Sequence, residues 1–201
     1  MEELLILITY AKVKIIDKKK VEKTFFSKNE KMKKSYIENI NSWFCEDEYK
    51  ACNKEINRIK KLEKYDHFPK IISIKKNSFI MSYCGVTLRR LIRKKGREYV
   101  RKKLKNIDLE TQIKNISKYL DENLIQHYDL GLNNICFYNN KIYIIDFGGN
   151  YKSYFIKGEN YKILKEIFDF IINNKPDLNY SKRGEHKQYT MKELEPYIKK
   201  V

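Results

Sequence analysis

Between His127 and Gly149 the chain reads HYDLGLNNICFYNNKIYIIDFGG, and no other stretch constrains the fold as tightly. Asn134-Ile-Cys-Phe137 and Ile142-Tyr-Ile-Ile145 are apolar runs of strand length, separated by Tyr138-Asn-Asn-Lys141. Consecutive asparagines mark a turn, because Asn tolerates positive φ, so a β-hairpin is predicted. Folding it brings the residue before the first strand close to the residue after the second, which sets Asn134 and Asp146 side by side at one end. Two oxygen donors there suit a hard divalent cation such as Mg²⁺, which takes one or two protein ligands and completes its shell with water and phosphate oxygens. Asp129, just ahead of the hairpin, is expected to point into the same space.

These residues resemble the protein-kinase superfamily. His127-Tyr128-Asp129-Leu130-Gly131-Leu132-Asn133-Asn134 is similar to H-R-D-L-x-x-x-N, and Asp146-Phe147-Gly148 to D-F-G. The resemblance implies an α+β, bilobal protein-kinase-like fold. Its small antiparallel-sheet N-lobe would span residues 1–84, and its truncated helical C-lobe residues 85–201. It further implies ATP with Mg²⁺ or Mn²⁺ as cofactors, Asp129 as the group that accepts or orients the substrate hydroxyl proton, and Asn134 and Asp146 as metal ligands.

The chain has 201 residues, of which 42% are hydrophobic, enough for a real core. Four cysteines show no C-x-x-C pair and only three histidines occur, so neither a disulfide framework nor a zinc site is indicated. The apolar run Leu4–Ile8 is too short for a signal-peptide core or a membrane span; a soluble, intracellular, cytoplasmic protein is expected, with a nuclear location as the alternative. A formal net charge of +17 exceeds what solubility requires and points to a polyanion or acidic partner. The competing explanation is a chain-wide abundance of Lys, Ile, Asn and Tyr.

Leu4–Ile8, Val13–Ile16 and Val21–Phe26 read as three strands of an antiparallel meander, the last two joined by a charged turn at Asp17-Lys-Lys-Lys20. In kinases the third strand carries a lysine that pairs with the nucleotide phosphates and with a glutamate on the following helix. Lys23 is the candidate and Lys20 the alternative. Val21 would rest against the adenine. Ser27–Ser42 is polar, lysine-rich and without period. Tyr49, Cys52, Ile56, Ile59 and Leu62 then recur at helical spacing, predicting an amphipathic helix over 45–64. Glu55 is the expected partner of Lys23, with Glu48 as the alternative. A carboxylate near that apolar stripe needs a cation.

Ile71–Ile74 and Ser78–Tyr83 form a second predicted hairpin, which runs into Cys84-Gly-Val-Thr-Leu88, similar to the hinge of kinases. In that resemblance Met81 guards the back of the adenine pocket, and the backbone of Ser82 and Cys84 binds the adenine edge. Arg89–Lys105 holds ten basic residues and one acid, either a solvated helix face or a contact for nucleic acid or another acidic partner. Asp108 caps a predicted helix with Leu109, Ile113, Ile116 and Leu120 on its core face. A further helix is predicted over 160–173, and Thr190-Met-Lys-Glu193 is a capping box for a last one.

The chain departs from typical protein kinases in several places. No glycine precedes Gly85, so the glycine-rich phosphate loop is missing, and Thr9-Tyr10-Ala11 place side chains at the first turn. Tyr128 replaces an arginine, and Gly131 stands where Ser/Thr kinases carry a lysine. The segment after Gly148 is short and lacks Ala-Pro-Glu. This compactness resembles the RIO kinases, the small kinase subunit of the KEOPS tRNA-modification complex and reduced viral kinases. An atypical, minimal Ser/Thr protein kinase acting on a docked protein is therefore expected, with Ser181 and Thr190 as sites of self-modification. A nucleotide-binding pseudokinase or scaffold, and a small-molecule kinase of the aminoglycoside or choline type, are the alternatives.

Overall fold

The computed structural model describes residues 6–8, 11–25, 48–148 and 155–173. The polar, lysine-rich stretch Ser27–Ser42, the turn expected at Thr9-Tyr10, the capping box expected at Thr190 and the modification candidates Ser181 and Thr190 lie outside the described residues, as does the first turn of the helix expected from residue 45. The fold is α+β. The chain forms two compact units, Met1–Cys84 with Ile144–Asn150, and Gly85–Tyr143 with Tyr151–Val201.

The first unit carries a five-stranded sheet of β1 (Ile6–Ile8), β2 (Ala11–Ile15), β3 (Lys20–Phe25), β4 (Ile71–Ile74) and β5 (Ser78–Ser82), together with helix α1 (Glu48–Leu62). The strand order is β1-β2-β3-β5-β4, and all pairings are antiparallel. The lysine-rich connection between β2 and β3 turns tightly because the Asp17 carboxylate accepts the Lys19 N–H at 2.6 Å while Ile16 N–H donates to the Lys20 carbonyl. On β3 the side chains alternate, with Val21, Lys23 and Phe25 buried. A lysine on that buried face is the anomaly that organises the unit. Helix α1 turns Cys52, Glu55, Ile56, Ile59 and Leu62 inward. Tyr49, which the periodicity puts on the same stripe, is instead exposed, because it lies in the first turn of the helix.

The second unit contains a three-stranded sheet of β6 (Val86–Thr87), β7 (Ile135–Tyr138) and β8 (Lys141–Ile144, all but its last residue), in the order β6-β7-β8. Its helices are α2 (Leu88–Lys95), α3 (Arg97–Lys105), α4 (Leu109–Glu122) and α5 (Glu159–Asn173). The β7–β8 hairpin closes through Asn139 and Asn140 at φ 47° and 60°, the two-residue geometry whose twist matches that of the strands. Gln112 of α4 holds the hairpin, donating to the Asn140 carbonyl at 3.1 Å and accepting the Ile142 N–H at 2.8 Å. Asp108 caps α4 by accepting the Thr111 N–H. The basic run is two helices and not one, because Gly96 at φ 82° ends α2 and opens α3.

Candidate active site

In the first unit the Lys23 ammonium meets three carboxylate oxygens: Glu55 Oε2 at 2.7 Å, Glu55 Oε1 at 2.9 Å and Asp146 Oδ1 at 2.7 Å. An ammonium has three donors, and each has an oxygen. Strand β3 sets the lysine by its alternation, and α1 presents Glu55 one turn before Ile59. Lys23 and Glu55 are fully buried. Burial pushes the Glu55 carboxyl above the usual carboxylate range, opposed by the Lys23 ammonium, while the nearby Asp146 charge pushes the same way as burial.

The segment that delivers Asp146 is itself anchored. Phe147 N–H donates to Glu55 Oε1 at 3.3 Å, and its carbonyl accepts Arg58 Nη1 at 2.6 Å. The Phe147 ring packs on Phe68, and Ile144 N–H donates to the His67 carbonyl. Asp146 adopts φ 66°, a left-handed conformation uncommon for a residue with a side chain. Glu55 thus holds both the ammonium and the backbone after Asp146.

In the second unit, His127–Asn134 fold back on themselves. Leu130 N–H donates to the His127 carbonyl, and both Asn134 and Ile135 N–H donate to the Gly131 carbonyl. Asn134 Nδ2 donates to the Asp129 carbonyl and to Asp129 Oδ2, both at 2.8 Å. The amide nitrogen is therefore committed to Asp129, and Asn134 presents its oxygen as an acceptor. The Asp129 side chain is exposed, whereas Asn134 is buried.

Asn160, in the first turn of α5 and fully buried, secures the entry to this loop. Its oxygen accepts the His127 N–H at 3.1 Å and Gln126 Nε2 at 3.3 Å; its nitrogen donates to the Ile125 carbonyl at 2.9 Å and to Asp121.

The other residues singled out from the sequence are placed as follows. Val21 and Met81 face each other across β3 and β5, both buried. Ser82 donates its N–H to the Lys70 carbonyl and accepts the Lys70 N–H on Oγ. Cys84 donates its thiol to the Ser82 carbonyl, and burial pushes that thiol up to about 12, so it is no nucleophile. Lys20 is exposed on the strand face opposite to Lys23. The Glu48 side chain lies outside the described residues. Sequence reasoning missed Arg58, whose only signal is its position three residues after Glu55 on the same helix face, and Asn160, which has no signal beyond standing at a helix start.

Hard oxygen donors on Asn134 and Asp146 are the chemistry that Mg²⁺ or Mn²⁺ accepts. Among the described residues no helix is long and apolar enough to cross a membrane. Residues 6–154 match the RIO domain family. A comparison with curated proteins returned no match.

Proposed function

We propose that this chain, which belongs to the RIO domain family and hence to the atypical protein-kinase superfamily, transfers the γ-phosphoryl group of ATP to a Ser or Thr hydroxyl of a docked protein. The observation that supports this reading best is the buried Lys23–Glu55 pair with Asp146 on the same ammonium. Burying a charged pair costs several kcal/mol of desolvation per ion, and a hydrophobic pair would fill the space at less cost, so the arrangement is explained by what the lysine does. In this reading Lys23, held by Glu55, orients the phosphates, and Asn134 and Asp146 hold the cation. Bound there, the cation neutralises charge on the phosphate oxygens.

Asn134 fixes Asp129 through two hydrogen bonds, so one carboxylate oxygen is oriented while the exposed side chain can receive or orient the hydroxyl proton. Val21 and Met81 line the adenine site. Ser82 has its N–H committed to Lys70, so its carbonyl and the backbone of Cys84 are the groups that meet the adenine edge. Helix α5 begins at Glu159, soon after Gly148, which leaves little chain for a peptide groove. Specificity then comes from docking a folded partner, with tethering raising the local hydroxyl concentration to about the millimolar range.

The test is transfer from radiolabelled ATP with Mg²⁺ or Mn²⁺, wild type against Asp146→Ala, offering the protein itself, generic proteins and short peptides. Incorporation by wild type alone, poorest on peptides, is expected. The absent glycines before Gly85 favour a second reading, a nucleotide-binding pseudokinase. It would bind ATP and show neither transfer nor hydrolysis with either metal.

A further inference from the structure

The run Arg89–Lys105 plays no part in the proposed chemistry, yet it holds ten of the chain's 43 Lys and Arg residues and one of its 26 Asp and Glu residues. We propose that α2 and α3 form a binding surface for single-stranded nucleic acid.

A chain-wide preference for lysine does not account for the run, because it is also where arginine gathers: five of the seven arginines in the sequence are Arg89, Arg90, Arg93, Arg97 and Arg101. Arginine is the side chain whose planar fork matches phosphate oxygens. Helix stability does not account for it either. Cations in the last turns of α2 and α3 complement the helix dipole, but Arg89 and Arg90 stand in the first turn of α2, which has no acidic residue, where the dipole opposes a positive charge.

Two of the arginines have structural work. Arg97 lies over the Phe170 ring, 4.0 Å from its centroid, and donates to the Phe170 carbonyl, fastening α3 to α5. Arg101 pairs with Glu98. Arg93, Lys94, Lys95, Lys102 and Lys105 are exposed and have no ion pair among the described residues, so the local field is uncompensated.

The nature of the polyanion follows from Tyr99. Val100 and Leu104 bury the inner face of α3, and Tyr99 points the other way, 42% exposed. The Lys103 ammonium lies 5.9 Å from its ring centroid. An exposed aromatic face beside cations is a platform on which an unpaired base stacks while the phosphates meet the charges. A duplex keeps its bases stacked inside, and a run of Asp and Glu carries no ring to stack.

The experiment is fluorescence anisotropy of the full chain with a labelled 20-nucleotide oligouridylate, repeated from low to high NaCl, with a duplex of equal length and poly-glutamate as the other probes. Because its positions are exposed, the variant Arg93→Gln/Lys94→Gln/Lys102→Gln/Lys105→Gln is expected to stay folded, its melting curve lowered only slightly by the lost complement to the two helix dipoles. Each contacted phosphate contributes about −0.7 to the slope of log K against log salt for a single strand, so that variant is expected to flatten the slope by about 2–3. Tyr99→Ala is expected to weaken binding by about fivefold or more with the slope unchanged. The proposal is overturned by absence of oligouridylate binding at low salt, by an unchanged slope in the four-residue variant, by duplex binding as tight as single-strand binding with Tyr99→Ala silent, or by poly-glutamate binding as tightly as the RNA, which would make the surface a site for acidic protein.

Discussion

Replacing Lys23 by Met removes the ammonium from between Glu55 and Asp146 and leaves a fully buried carboxylate with the Phe147 N–H, 3.3 Å away, as its remaining described donor. Breaking a buried ion pair by deleting one partner costs about 3–5 kcal/mol. With a urea dependence of about 2 kcal/mol per molar, the midpoint is expected to fall by about 1.5–2.5 M. The loss depends on pH. Burial raises the folded-state pKa of Glu55 above its ordinary 4.5, so below about 4.5 the group is protonated in folded and unfolded chains alike and carries no charge penalty. As pH rises above that value the penalty accumulates, until the folded pKa is passed. The variant should therefore lose much more stability at pH 8 than at pH 4. Adding Glu55→Gln keeps an acceptor for Phe147 and removes the charge, so the double variant is expected to regain most of the loss at pH 8 while transferring no phosphate. Urea titrations of the wild type, the single and the double variant at both pH values decide it. A single variant that loses less than about 1 kcal/mol, or a double variant no more stable than Lys23→Met, would refute the reasoning.

Asp129→Asn keeps the shape and removes the carboxylate, so nucleotide affinity measured by titration should persist while turnover falls by about 10²–10⁴-fold. Gly85 sits at φ 96°, and a Cβ there would lie 2.4 Å from the Phe137 carbonyl oxygen and 2.5 Å from Tyr138 Cβ; Gly85→Ala should lower stability by about 2 kcal/mol or more, read as a drop in melting temperature. Asp108→Ala removes the α4 cap. The bond to Thr111 lowers the Asp108 pKa below its ordinary 3.8, so the stability it contributes is present above that value and is lost as pH falls through the lower folded pKa; melting curves of wild type and variant should converge in strong acid.

Much of this was legible because local chemistry decided it. The paired asparagines dictated a two-residue turn, and Asp108 followed by residues at helical spacing gave α4 with its cap in place. Alternation along β3 set Lys23 on the same face as Val21 and Phe25, while periodicity along α1 set Glu55 with Ile56 and Ile59. What was not legible depends on partners far away in the chain. Nothing around Asn160 signals that it will hold the backbone of Ile125 and His127, since an asparagine at a helix start reads as an ordinary cap. Arg58 is similar: its target is a backbone carbonyl, which has no sequence identity. Periodicity puts Tyr49 inward, although it is exposed, because a period carries no information about where a helix stops being covered.

The first unit is built from two stretches of chain that are not contiguous, and this has a consequence for how the protein is made. When Cys84 leaves the ribosome, β3, α1, β4 and β5 are all available, but the strand end that donates to His67, the ring that packs on Phe68 and the second carboxylate on Lys23 are still to be translated. At about 5–20 residues per second, synthesis of Gly85–Tyr143 delays them by about 3–12 s. During that interval Phe68 is without the Phe147 ring and Lys23 is without the Asp146 carboxylate. A fragment ending at Cys84 would remain in that condition permanently.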